Sequence, residues 1–256
     1  TGPAMVAARD AAAFDDARCV RVLDIAEDAA IPERGDLPAM TAGVVVRAWV
    51  DGSSLGDILH EAPMEAAEAA DLIADIAEVL AGAHAAGLNH AALDPQHVVL
   101  TRDGDVAILD LGIAAVLHAD DPTDLGPNDP RDDIRSLGAL LYACLTGRWP
   151  LATPSPLDPA EVIREDGVDR PLPPRRVRAG VPGALDTLCR RALGEAVGGE
   201  GAFTDARTVS VELRRWLFRA GASSSELVTR RAATGQGEPR AVSDEPGSRA
   251  MRWVVG

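Results

Sequence analysis

The stretch from Met64 to Gly112 constrains this chain more than any other. Leu72, Ile76, Val79, Leu80 and Ala83 recur at helical spacing and Gly87 ends the run. Two short apolar runs follow, His97-Val98-Val99-Leu100 and Val106-Ala107-Ile108-Leu109, with Arg102-Asp103-Gly104-Asp105 between them. A long helix from about Met64 to Ala86 must therefore lead within a few residues into a β-hairpin with Asp-Gly at its turn. The fold class is α+β.

The flanking sequence fits around that unit. Residues 3–14 are Ala-rich and read as helix, and Arg21-Val22-Leu23-Asp24-Ile25 and Gly43-Val44-Val45-Val46-Arg47-Ala48-Trp49-Val50 read as two strands of a hairpin. Ser53 or Ser54 can cap a short helix through Leu59. From Leu117 to Asp132 the Asp, Pro and Gly content predicts loop, and Ile134 to Leu145 is a helix apolar nearly all round, ending at Gly147. Pro150 to Pro182 reads as loop broken by a short helix near Pro159 to Glu165; Leu185 to Gly194 and Thr208 to Phe218 are further helices. After Gly221 apolar residues thin out, so residues 221–250 are expected to be a flexible tail.

Composition supports a mainly helical body. Hydrophobic residues make up 46% of the 256, enough for a substantial core, yet aromatics are only 3%, so Ala, Val, Leu and Ile must fill it. A net charge of -15 argues against a nucleic-acid partner, whose backbone is bound through many cations. All 25 cationic residues are Arg. Cys19, Cys144 and Cys189 are far apart in apolar surroundings and read as reduced core thiols. His84, His90 and His97 lack the spacing that presents two metal ligands on one helix face, so no metal site is expected. Arg170, Arg175, Arg176 and Arg178 read as a solvated basic loop, with phosphopeptide or anionic lipid as the alternative ligand. The end, Arg249-Ala250-Met251-Arg252-Trp253-Val254-Val255-Gly256, looks like either a frayed tail or the threshold of a membrane segment.

The central motif is His90-Ala91-Ala92-Leu93-Asp94-Pro95-Gln96-His97-Val98-Val99-Leu100, then Leu109-Asp110-Leu111-Gly112. This succession resembles the eukaryotic-like Ser/Thr protein kinases of bacteria. Ala48-Trp49-Val50-Asp51-Gly52 is similar to the kinase hinge, Asp133-Ile134-Arg135-Ser136-Leu137-Gly138 to the start of helix F, and Leu145-Thr146-Gly147-Arg148-Trp149-Pro150 to the segment after it. The resemblance implies a protein-kinase-like fold: residues 1–52 a remnant N-lobe, 53–220 the helical C-lobe, and 221–256 a flexible juxtamembrane tail.

The departures from that family pattern fall on its chemistry. The base Asp falls on Ala92, the loop lysine on Asp94, and the metal-holding Asn on His97. Asp110 alone survives, with Leu111 after it, and reads either as a weak cation ligand or as a hydrogen-bonded turn residue. The expectation is a pseudokinase and not an enzyme, without cofactor or metal; the alternative is an atypical active kinase or ATPase relying on Asp110.

The tail, Thr229-Arg230-Arg231-Ala232-Ala233-Thr234, offers two threonines for phosphorylation, Thr234 slightly preferred. The degraded, Lys-free domain with a membrane threshold also resembles the intracellular pseudokinase domain of actinobacterial MviN peptidoglycan-precursor flippases. That resemblance implies a soluble domain on the cytoplasmic face of the inner membrane, beside a membrane domain. Its implied partners are an active Ser/Thr kinase that phosphorylates the tail and a forkhead-associated domain protein that binds it, regulating peptidoglycan synthesis. A scaffold without phospho-dependence is the other class kept open.

Overall fold

A computed structural model describes residues 6, 9, 11–31, 40–114, 129–165 and 167–235. Strands β1 (Val22–Ile31) and β2 (Met40–Arg47) form an antiparallel hairpin whose open end pairs Val22 with Arg47. A second sheet has the order β3-β4-β5, from Gly52–Ser54, Val98–Thr101 and Val106–Ile108. The stretch before β1 joins the two units: Val20 N–H donates to the Ile108 carbonyl at 2.9 Å, and Ile108 N–H to the Arg18 carbonyl at 2.7 Å. This stitch hangs the end of β2 over the end of β5.

The helical body begins with α1 (Leu55–Glu61), capped by the Ser54 hydroxyl, and α2 (Ala66–Ala85). Helix α3 (Pro130–Thr146) is the central post. Asp129 caps it, Pro130 fills the first turn where no N–H is needed, and Gly147 closes it in a left-handed conformation at φ 73°. Its Ile134, Leu137, Leu140, Leu141, Tyr142 and Leu145 are all buried. Helices α4 (Pro174–Val177), α5 (Gly183–Ala192) and α6 (Ala206–Arg219) wrap it and α2. The α3–α5 crossing depends on Gly138: a Cβ there would stand 2.6 Å from the Leu193 backbone N.

Two sequence expectations need correction. In place of a helix near Pro159 to Glu165 there is a hairpin, β6 (Val162–Glu165) against β7 (Val168–Pro171). Its β-branched Val162, Ile163 and Val168 favour strand, Gly167 turns at φ 77°, and the Tyr142 hydroxyl anchors it by donating to the Leu172 carbonyl at 2.9 Å. The described part of the tail is also folded: Ser224–Thr234 is helix α7. The remaining tail, including the membrane-threshold residues 249–256, lies outside the described residues.

Long-range ionic contacts hold α7. Arg231, buried, pairs with Asp75 at 2.8 Å and with Asp71 at 3.2 Å, and Arg214 of α6 pairs with the same two carboxylates. Leu227 joins the core. The β4–β5 turn makes room, since Gly104 (φ 84°) brings its Cα so close that a Cβ would meet the Val228 carbonyl at 2.4 Å. Arg231→Ala leaves the buried Asp71 and the half-buried Asp75 with Arg214 as their remaining partner and should weaken α7 docking by about 3 kcal/mol. The expected result is faster amide exchange confined to residues 224–234; unchanged protection there would refute the clamp.

Candidate functional site

The segment between α2 and β4 is built on Asp133, fully buried in the first turns of α3. Its Oδ2 accepts from the His90 N–H at 2.9 Å and faces His84 Nε2 at 2.8 Å, while Oδ1 accepts from the Ala91 N–H at 2.7 Å. Burial pushes this carboxyl up, but the His84 bond, the His90 charge and the two N–H donors hold it below the ordinary carboxylate range. Ala91 is left-handed, at φ 60°. A non-glycine residue stays there only when its surroundings over-determine it, and Asp133 does so.

His90 is fully buried and points its Nε2 at the Leu109 carbonyl, 2.9 Å away, so that nitrogen carries the proton. Its ring meets His97 edge-on with centroids 5.0 Å apart. His97 Nδ1 in turn lies 2.7 Å from Asp94 Oδ1, which also accepts from the Gln96 N–H at 2.8 Å. Burial raises the Asp94 carboxyl; the His97 bond and charge and the backbone donors outweigh it and leave it lowered. Asp94 and His97 are thus brought together as an oriented carboxylate–imidazole pair. Ala92 supplies no acceptor beside them.

Asp110 follows β5 in a left-handed conformation at φ 56°, with Gly112 at φ 76°. Its carbonyl accepts from the Ile113 and Ala114 N–H groups at 3.1 and 2.8 Å, so it is a turn residue. Its carboxylate, buried, is paired by the Arg47 guanidinium from the end of β2. The turn reading of Asp110 is thus the one seen, and the cation beside it is Arg47 of the same chain. Arg47 escaped the sequence reading, although an Arg closing the apolar run Val44-Val45-Val46 was a visible signal.

The other sequence candidates lie apart from this site. Thr229 and Thr234 sit on α7, not in an extended segment; the Thr229 hydroxyl donates to the Ser225 carbonyl at 2.9 Å, the Thr234 hydroxyl to Glu68 Oε1 at 3.0 Å. Of the basic loop, Arg175 pairs with Asp186, and Arg178 donates to the Met64 and Leu145 carbonyls, so both hold the fold together. No cluster of three or more metal-ligating side chains occurs among the described residues.

No protein-family model matches the chain. It is 29% identical to the serine/threonine-protein kinase PknB of Mycolicibacterium smegmatis over 97% of this chain and 44% of that protein. To PknB of Mycobacterium leprae it is 32% identical, over 73% of this chain and 31% of that protein. The chain thus spans less than half the length of these curated relatives. Among solved structures, the kinase domain of Mycobacterium tuberculosis PknI superposes with a TM-score of 0.56 at 19% identity, over 81% of this chain and 74% of that one. The chain has a protein-kinase-like α+β fold, and its relatives are bacterial Ser/Thr kinases. The expectation of a non-enzyme is corrected by them: they are named as serine/threonine-protein kinases, which are enzymes.

The buried histidine sets a pH dependence. Burial, then the neighbouring His97, hold His90 down to about 4, with the Asp133 and Asp110 charges opposing. An unfolded His titrates near 6.5. Below that pH the unfolded chain takes up a proton that the folded chain refuses, so stability falls from about pH 6.5 to about pH 4, by about 3 kcal/mol in all. Asp94 and Asp133, both lowered, lose their contribution only below about pH 4, and Glu68 and Asp71, both raised by burial, oppose the fall as they protonate, so the loss of stability in the upper window is assigned to His90. Urea midpoints should fall across pH 6.5 to 4.5, and His90→Gln should flatten that slope; an equal slope in the variant would refute the assignment.

Proposed function

We propose that this chain is an atypical phosphotransfer domain, a kinase or ATPase that works through Asp110. One observation carries the reading: a buried carboxylate, held in a strained left-handed turn, faces a single guanidinium at the place where the two sheet units meet. Kinship with named kinases supports it.

Magnesium is commonly held by one or two carboxylates with phosphate oxygens and water, so Asp110 alone fits an ion that arrives with a nucleotide. Such an ion, when bound, neutralises phosphate charge. Arg47, exchanged off Asp110, then offers the phosphates the cation that a chain without lysine must draw from arginine, and its planar fork suits phosphate oxygens. Ala92 takes no proton, so attack proceeds without a side-chain base in that position, and base catalysis ordinarily contributes roughly 10²–10⁴-fold. Turnover should be slower than that of an ordinary kinase by about that factor.

The test is a thermal-shift titration with Mg-ATP or Mn-ATP beside a sensitive phosphate-release and autophosphorylation assay. Nucleotide should raise the unfolding midpoint; Asp110→Asn should abolish both the shift and the turnover, and Arg47→Ala should weaken nucleotide binding. A wild-type chain that shows neither, or an activity indifferent to Asp110→Asn, would sink the proposal.

A second reading is favoured by the Thr234–Glu68 hydrogen bond. Phosphate on Thr234 would stand against that carboxylate and loosen the end of α7, exposing a phosphothreonine to a forkhead-associated domain. An active Ser/Thr kinase would be the writer, and, following the flippase resemblance, an adjacent membrane domain and peptidoglycan synthesis the setting. With such a kinase present, mass spectrometry should find phosphate on Thr234 before Thr229, and Thr234→Ala should abolish capture of the forkhead-associated protein. Capture by the unphosphorylated chain would overturn this reading.

A further inference from the structure

Helix α6 carries a face that neither the core nor the Asp110 site uses. Phe218 is 86% exposed and Val211 41%. They are separated by two helical turns, so they share one face, and Arg207, Arg215 and Arg219 flank them. With Ala81 of α2 these residues line an open groove of about 620 Å³. Its acidic wall residue, Glu78, is already occupied by Arg18 at 3.3 Å and Arg214 at 4.0 Å. Arg215 is paired along the helix with Glu212. Arg207 and Arg219 have no ionic partner among the described residues and lie exposed.

A nearly bare Phe between unpaired guanidiniums is unusual on a chain of net charge -15. Basic residues are the minority here, 25 against 40 acidic, yet four of them gather on one groove. We propose that this groove is a docking site for an acidic segment of a partner protein, one that places a bulky apolar side chain against Phe218 and Val211 and carboxylates against Arg207 and Arg219. Arg and aromatic side chains are the residue types that carry binding energy at interfaces. The chain's own charge selects the occupant. A second copy brings a strongly acidic body, and an anionic membrane surface would repel the rest of the domain while gaining one Phe and two free cations; a short acidic segment carries few charges, so the contacts at Arg207 and Arg219 outweigh the weaker, salt-screened repulsion from the rest of the domain.

The probe is a short fluorescein-labelled peptide of repeated Glu-Glu-Leu-Phe units, titrated onto the full chain by anisotropy, with a Gln-for-Glu version as control. Binding should weaken with salt, fall at least about 10-fold in the Arg207→Glu, Arg219→Glu double variant, and fall again in Phe218→Ser. All three side chains are exposed, so unfolding midpoints should stay at the wild-type value, which separates lost docking from lost folding. No binding, equal binding of the Gln peptide, or binding unchanged in the variants would overturn the proposal. So would preference for phosphatidylglycerol vesicles over the peptide, which would make the face a lipid site, or sedimentation as a dimer abolished by Phe218→Ser, which would make it a self-interface. Loss of Asp110-dependent activity bears on none of these outcomes.

Discussion

The buried carboxylate of Asp133 is the interaction on which the centre of the molecule depends. It stands inside the first turns of α3, where the helix dipole favours negative charge, and reaches His84 on α2 and the His90 and Ala91 N–H groups of the following loop. A buried charge is tolerable only when its hydrogen bonds are made, and all of these come from one loop and the helix before it. That requirement fixes the loop. Ala91 accepts a left-handed conformation, His90 swings its ring beneath Leu109, and the His90–Leu109 bond sets where β5 ends and therefore where Asp110 begins. The strained turn at Asp110 is thus held by a chain of hydrogen bonds that starts on α3.

The absence of lysine shapes the rest of the polar architecture. Lysine is a point charge, whereas a guanidinium can serve several acceptors in a plane. Arg178 ties the Met64 and Leu145 carbonyls together at 2.6 and 3.3 Å, closing the ends of the α1–α2 and α3 segments on the α4 loop. Arg231 and Arg214 share Asp71 and Asp75, joining α7 and α6 to α2 in one network. Arg47 bridges the β1–β2 hairpin to Asp110. In each case one fork connects elements distant in sequence, which is a task a fold short of aromatic side chains must assign to something other than large core residues.

Much of this was legible in the sequence because it was local. The α2 periodicity, the Asp-Gly hairpin turn, the apolar α3 and the Gly147 stop each follow from residues within a few positions of one another, and they appear where the pattern puts them. The kinase-like succession around His90 and Asp110 was legible for the same reason. What escaped was non-local. Helix α7 has few apolar residues and looks like a tail until Arg231 finds Asp75, 156 positions away. The β6–β7 hairpin competed with a helical reading of Glu161-Val162-Ile163-Arg164 until Tyr142 anchored its exit. The Arg47–Asp110 pair, 63 positions apart, could be read only from the register of β1 against β2 and the stitch to β5.

The same contrast separates the two surfaces proposed above. At Asp110 a buried carboxylate is paired with a half-buried guanidinium, so any anion or cation entering there would have to exchange with a group already in place. On α6 the charges are exposed and two are unpaired, so a partner meets no such competition but gains only screened attraction. A site of the first kind suits chemistry on a small, highly charged ligand; a site of the second suits reversible recognition of an extended one. The two sites share no residue: Asp110 is held through α3 and the hairpin turn, the groove through α2 and α6. The α2 helix lies between them: it carries His84 toward Asp133 at its C-terminal end and Ala81 into the groove one turn earlier, while α3 and α6 also pack against each other.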